Sequence, residues 1–230
     1  HHSVMRYIKR MNDTSSAALP IGRVARRQEH KREALVQAGY RVMSAKGIDS
    51  ATMQEIAELA DVGAGTVYSY FKSKDDLAIA VLERVMHDLA LRIEVATANF
   101  TDPAQVYAFG VRTVFESAIG DRRWKQLLHR AEVIANAMFS CMGPFAIRDI
   151  EKATAAGRFK VKDARLTFKL ASFAIMGASR AVTLGIFPAS AIDETIVRLL
   201  CMNGMSETEA IELANRPRPA LPPEPQLKSE

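Results

Sequence analysis

Apolar residues along this chain recur at spacings of three and four, and no stretch alternates apolar with polar in the way a half-buried strand does, so the pattern predicts an all-α protein. The first helix is expected from about Arg27 to Ala45, with Leu35, Ala38, Val42 and Met43 facing inward and Gly47 as its stop signal. Thr52 and Glu55 match a Thr-x-x-Glu capping box, which opens a second helix carrying Met53, Ile56, Ala57 and Ala60 on one stripe. Asp61-Val62-Gly63 then predicts a tight turn in which Gly63 takes the positive φ. A short third helix is expected from about Ala64 to Phe71, and Ser73 with Asp76 caps a long fourth one bearing Leu77, Val81, Val85 and Leu89.

Past the start signal Asp102-Pro103 the helices lengthen. They are expected at about Ala104 to Ile119, Arg123 to Met142, Pro144 to Ala156, Asp163 to Ile186 and Ala191 to Met202, with Gly143-Pro144 read as a break. Ser206 and Glu209 form a further capping box for a short last helix, and the proline-rich tail after Asn215 is expected to lie extended or mobile. The organisation expected is therefore a basic leader over 1–25, a three-helix unit over 26–75, a larger helical domain over 76–215 and a proline-rich tail over 216–230.

Composition narrows the class without naming a function. With 48% hydrophobic and 25% charged residues the chain reads as globular, and no apolar run approaches the length of a membrane-spanning helix. Cys141 and Cys201 have neither CxxC spacing nor histidines at ligand intervals, so no metal, cofactor or disulfide framework is expected and a reducing cytoplasm fits. The net charge is +5, and its distribution matters more than its size. Between Arg6 and Arg32 stand eight basic residues against Asp13 and Glu29, an excess that alone accounts for the whole imbalance. That segment is either a solvated leader or an arm for an anionic partner.

No catalytic spacing appears: GxSxG, HExxH and a glycine-rich phosphate loop are all missing, which argues against an enzyme. Three short helices with a turn between the second and third are instead what a helix-turn-helix needs to push its last helix into a major groove. Val67 and Phe71, one turn apart, can plug the core while Thr66, Tyr68, Ser69 and Tyr70 mostly stay outside. Small residues at Ala64 and Gly65 let the helix start come close to bases or phosphates, and Lys74 is placed for a phosphate.

The run Thr52-Met53-Gln54-Glu55-Ile56-Ala57, continued by Val62-Gly63-Ala64-Gly65-Thr66-Val67-Tyr68-Ser69-Tyr70-Phe71-Lys72-Ser73-Lys74-Asp75-Asp76-Leu77, resembles the signature of TetR-family regulators. The resemblance covers about Arg27 to Leu89. It implies phosphate contacts from Thr52, Tyr68, Tyr70 and Lys74, and an approach to base edges by Ala64, Gly65, Thr66 and Ser69. It also implies a C-terminal domain that binds an effector and pairs with a second copy through its last two long helices.

The residues support that pairing independently. Ala174, Gly177, Ala178 and Ala181 form a small-residue stripe that allows close helix approach, and Ile192, Ile196 and Leu199 give the next helix an apolar face; a contact within one subunit is the alternative. Trp124, Leu128, Met138, Phe139, Met142, Phe173 and Met176 are candidate effector contacts, although the same residue types build ordinary cores. The expected function is a ligand-responsive repressor, a homodimer on a pseudo-palindromic double-stranded operator, released by a small hydrophobic effector. An effector-independent DNA-binding or helical interaction protein is the rival reading.

Overall fold

A computed structural model of the chain describes residues 23–121, 125–126 and 131–223. All regular structure among them is helical. The order is α1 (Arg23–Lys46), α2 (Met53–Leu59), α3 (Ala64–Tyr70), α4 (Lys74–Ala96), α5 (Pro103–Gly120), α6 (Ala131–Ala155), α7 (Ala164–Thr183), α8 (Ala191–Met202) and α9 (Glu207–Ala214). No described helix is long and apolar enough to cross a membrane. Residues 1–22 of the expected leader, Trp124 and Leu128 lie outside the described residues, whereas Arg23, Val24 and Ala25, expected in the leader, form the first turn of α1.

Helix starts follow the cap signals. Thr52 and Glu55 bond reciprocally, as do Ser206 and Glu209, while Ser73 accepts from Asp76 N and Asp102 from Ala104 N with Pro103 in the first turn. The α2–α3 turn departs from the expectation. Asp61, not Gly63, takes the left-handed conformation, at φ 52, and Gly63 sits at φ −69 as the N-cap of α3. Asp61 N donates to Glu58 O at 3.2 Å and Val62 N to Ala57 O at 3.0 Å, a Schellman closure that puts the left-handed residue directly after the cap, where aspartate is tolerated.

The Gly143-Pro144 break is also corrected: α6 runs through it, with Pro144 inside the helix. Proline forces its predecessor out of the α region largely through that residue's Cβ, and Gly143 has none. The cost is the bond that Pro144 cannot donate to the preceding turn. Packing on α7 offsets it; a Cβ built on Gly143 would already lie 3.8 Å from the Phe168 ring.

One continuous core joins the three N-terminal helices to the larger bundle through α4, whose Leu77, Val81, Leu82, Met86 and Leu89 are all buried. Beyond α9 the described part of the tail, residues 216–223, is not helical, and it is fastened. Arg216 reaches Asp102 at 2.9 Å, Arg218 reaches Glu116 at 2.7 Å, and Arg92 of α4 donates to the Pro222 carbonyl at 2.6 Å.

The α8–α9 corner depends on Gly204, at φ 90, where an added Cβ would fall 2.6 Å from Lys160 Cβ and 3.1 Å from its backbone nitrogen. Gly204→Ala is expected to destabilise the chain by about 2 kcal/mol, combining the left-handed penalty with that clash. Thermal unfolding of the variant checks this, and an unchanged midpoint contradicts it.

Candidate functional site

Helix α3 projects from its supports. Val67 is fully buried and Phe71 nearly so, with the Arg32 guanidinium 5.4 Å above the Phe71 ring, so these two side chains anchor the helix. On the other side Tyr68 is 55% exposed, Gly65 and Ser69 are exposed, and Ala64 and Thr66 are half-buried. The Ser69 hydroxyl donates to Thr66 O at 2.6 Å. A Cβ on Gly65 would meet nothing within 4 Å, so nothing in the fold demands glycine there.

Three of the expected phosphate ligands have intramolecular contacts. Tyr70 packs partly against the core, and Lys74 Nζ donates to Asp49 O at 2.9 Å and Ala51 O at 3.2 Å, holding the turn that precedes α2. Thr52 is exposed and its hydroxyl is engaged with Glu55. Hydrogen bonds from Lys46 and Thr52 hold the Glu55 carboxyl down at about 2, so the cap stays charged and intact at neutral pH.

A second site lies inside the larger bundle. A small, largely apolar cavity of about 40 Å³ is walled by Ala90 and Ile93 of α4, Val106, Gly110, Val111 and Val114 of α5, Met138 and Met142 of α6, and Phe168 and Ile175 of α7. Tyr107 completes the wall; its hydroxyl is buried beside Asn203, and burial pushes the phenol up to about 12. Glu94 and Asp149 also line the cavity, and they line a more open neighbouring cleft with Thr101, Arg148 and Lys152. Arg148 forks between these carboxylates, at 2.9 Å to Glu94 Oε2 and 2.7 Å to Asp149 Oδ1, with a further contact to Glu94 Oε1. Burial nevertheless holds the Asp149 carboxyl above its ordinary value.

The expected effector contacts divide. Met138 and Met142 wall the cavity, whereas Met176 is buried elsewhere in the core. Phe139 stacks on Phe168 under the Lys169 ammonium, outside the cavity. Phe173 is 42% exposed, because α7 turns Phe168, Ala171, Ser172, Ile175, Met176 and Ser179 inward and position 173 falls on the opposite face. Tyr107, Glu94 and Asp149 were not among the expected contacts. The visible trace was a charged pair, Arg148-Asp149, interrupting an otherwise apolar stretch.

The expected pairing face divides as well. Ala174 and Gly177 are exposed and Ala178 and Ala181 half-buried on the outer side of α7, beside the exposed Leu166, Leu170, Phe173 and Leu184. Ile192, Ile196 and Leu199 are instead at most 6% exposed, so the apolar face of α8 is taken up by the subunit's own core.

Comparison with known proteins finds matches for both parts of the chain. Residues 35–81 match the model for bacterial regulatory proteins of the tetR family, and residues 102–216 match that for a tetracyclin repressor-like C-terminal domain. The transcriptional repressor KstR of Mycolicibacterium smegmatis is 29% identical over 117 residues, 51% of this chain and 56% of its own length. The transcriptional activator FasR of the same organism is 28% identical over 107 residues, 46% of this chain and 49% of its own. The chain thus spans about half the length of these curated relatives. Among solved structures, RolR in complex with resorcinol superposes with a TM-score of 0.77 at 26% identity, covering 86% of this chain and 100% of RolR. With a C-terminal match spanning half of its length and an N-terminal match over the helix-turn-helix, the chain belongs to the TetR family of transcriptional regulators.

Proposed function

We propose that this regulator is a ligand-released repressor, a homodimer that reads a pseudo-palindromic operator with its two α3 helices. The observation that carries the reading is α3 itself, anchored by Val67 and Phe71 while Gly65, Tyr68 and Ser69 face outward with no packing role. A groove-reading helix needs that division, and the bare glycine in its first turn allows backbone approach to phosphates or base edges. Thr52, Tyr68, Tyr70 and Lys74 are assigned to phosphates and Ala64, Gly65, Thr66 and Ser69 to base edges. Pairing is assigned to the outer face of α7, where Leu166, Leu170, Phe173 and Leu184 flank Ala174, Gly177 and Ala181.

The effector assigned to the cavity is a compact, largely apolar molecule with hydroxyl donors. Its body suits the methionine and valine walls, and its hydroxyls suit the Glu94 and Asp149 carboxylates. Resorcinol, the ligand in the similar RolR structure, has that chemistry. Since α4 contributes both to the cavity wall and to the base of the reading head, a ligand that prefers one position of α4 shifts DNA affinity by its preference, typically ~1–3 kcal/mol.

Selection of random duplexes by the full chain, followed by titration with resorcinol as the probe, tests the proposal. Enrichment of a two-fold symmetric sequence, released by the probe, is expected. Failure to enrich any duplex overturns the DNA reading. Enrichment with no response to resorcinol or other hydroxylated aromatics overturns the effector class alone.

A further inference from the structure

The effector-binding part of the chain touches the reading head at a second place besides α4. Gln126, beyond the end of α5, sets its side-chain amide against the turn between α1 and α2. Its Oε1 accepts from the Ile48 backbone N–H at 2.6 Å, and its Nε2 donates to Asp49 Oδ2 at 3.0 Å. Lys74 grips the same turn from the start of α4, through the carbonyls of Asp49 and Ala51. Thr52, the cap of α2, comes directly after this turn, so whatever fixes residues 48–51 fixes the origin of α2 and, through the α2–α3 closure, the direction of α3.

An amide is matched to this place. It presents one acceptor and one donor side by side, and the turn presents one of each in return: a backbone N–H at Ile48 and a carboxylate at Asp49. A carboxylate at position 126 would satisfy the first partner and repel the second. On the far side, Gln126 follows α5, whose Val106, Gly110, Val111 and Val114 wall the cavity.

We propose that Gln126 is a positioning residue for DNA recognition: it ties the turn at Ile48 and Asp49 to the effector-binding part of its own subunit and so sets the register of the two reading heads. This rests on the reading of α3 as the DNA-contacting helix of a dimer, and it assigns the register to a residue outside the helix-turn-helix.

The test uses the full chain and three variants, D49N, Q126E and the double variant. D49N keeps an acceptor for the Gln126 amide and is expected to behave as the parent. Q126E sets two carboxylates face to face and is expected to bind the duplex selected by the parent about tenfold more weakly. It should also discriminate less against the same duplex with one base pair inserted between its half-sites, and exchange its Ile48 amide faster. In the double variant the donor and acceptor change sides, so binding, spacing discrimination and protection are expected to return.

Unchanged affinity and exchange in Q126E, or no recovery in the double variant, overturns the proposal. So does a loss of affinity that only tracks a lower melting temperature and leaves spacing discrimination intact. If the parent enriches no duplex, the DNA reading fails first and this inference with it; if the parent does and Q126E matches it, the inference fails alone.

Discussion

Arg148→Ala is expected to destabilise the chain by about 3 kcal/mol, a fall in melting midpoint of roughly 6–12 °C for a protein of this size. The size of the effect comes from what the substitution leaves behind. Asp149 is 7% exposed and Glu94 is half-buried, and the forked guanidinium balances both. Without it, two neighbouring carboxylates face each other beside an apolar cavity, with the weaker influence of Lys152 left to act on Asp149.

The pH dependence has a definite sign. Burial raises the Asp149 carboxyl above its ordinary 3.8 in the folded chain, so the folded state holds this proton more tightly than the unfolded one. The contribution of this group to stability therefore falls as pH rises from 3.8 through the raised value, and removing Arg148 deepens the fall. The deficit of Arg148→Ala is expected to be full at pH 7 and to shrink as pH falls toward the ordinary carboxylate range, where the raised carboxyl has already taken up its proton. Thermal unfolding across pH reads it directly, and a deficit independent of pH contradicts the role given to the triad.

Gly110→Leu is expected to abolish most of the effector response while leaving DNA binding in place. A Cβ at this position meets only Ile93 Cγ2, at 3.8 Å, so the backbone accepts a side chain, and the rest of the leucine enters the cavity. A ligand must then compete with that side chain for the same space. Overpacking of this kind costs about 1–3 kcal/mol, which weakens effector binding by roughly 5- to 150-fold. Resorcinol titration of the parent and the variant, each bound to the selected duplex, measures the difference. Equal responses would place the effector elsewhere in the bundle.

Much of the fold could be read from local chemistry. Thr52 with Glu55, Ser73, Asp102-Pro103 and Ser206 with Glu209 announce helix starts through side chains that satisfy the first backbone N–H groups, and each does so in the structure. The α2–α3 turn was legible as a turn but not in its detail, since aspartate and glycine both accept left-handed backbone and only the Schellman bonds decide between them. Gly143-Pro144 misled because a breaker's cost is local, while the packing of α6 on α7 that outweighs it joins segments distant in sequence.

The anchors of α3 were legible for the same reason as the caps: Val67 and Phe71 lie one helical turn apart, and their spacing fixes which side is left exposed. The cavity was not. Met138 and Met176 are alike in type and burial, and only the arrangement of four helices puts one against empty space and the other against packed atoms. Phe173, Ile192, Ile196 and Leu199 show the same limit: periodicity identifies an apolar face without saying whether its neighbour is the same subunit or another.

The most direct test of the account is Gly65→Gln, with melting temperature and affinity for the selected duplex measured on the same preparation. The space around Gly65 is open within the chain and its position is helical, so the fold should be unaffected or slightly firmer. If the first turn of α3 lies against DNA, affinity should fall by at least about tenfold, the equivalent of 1.4 kcal/mol. A variant that melts like the parent and still binds the duplex equally well would contradict the placement of α3 in the groove.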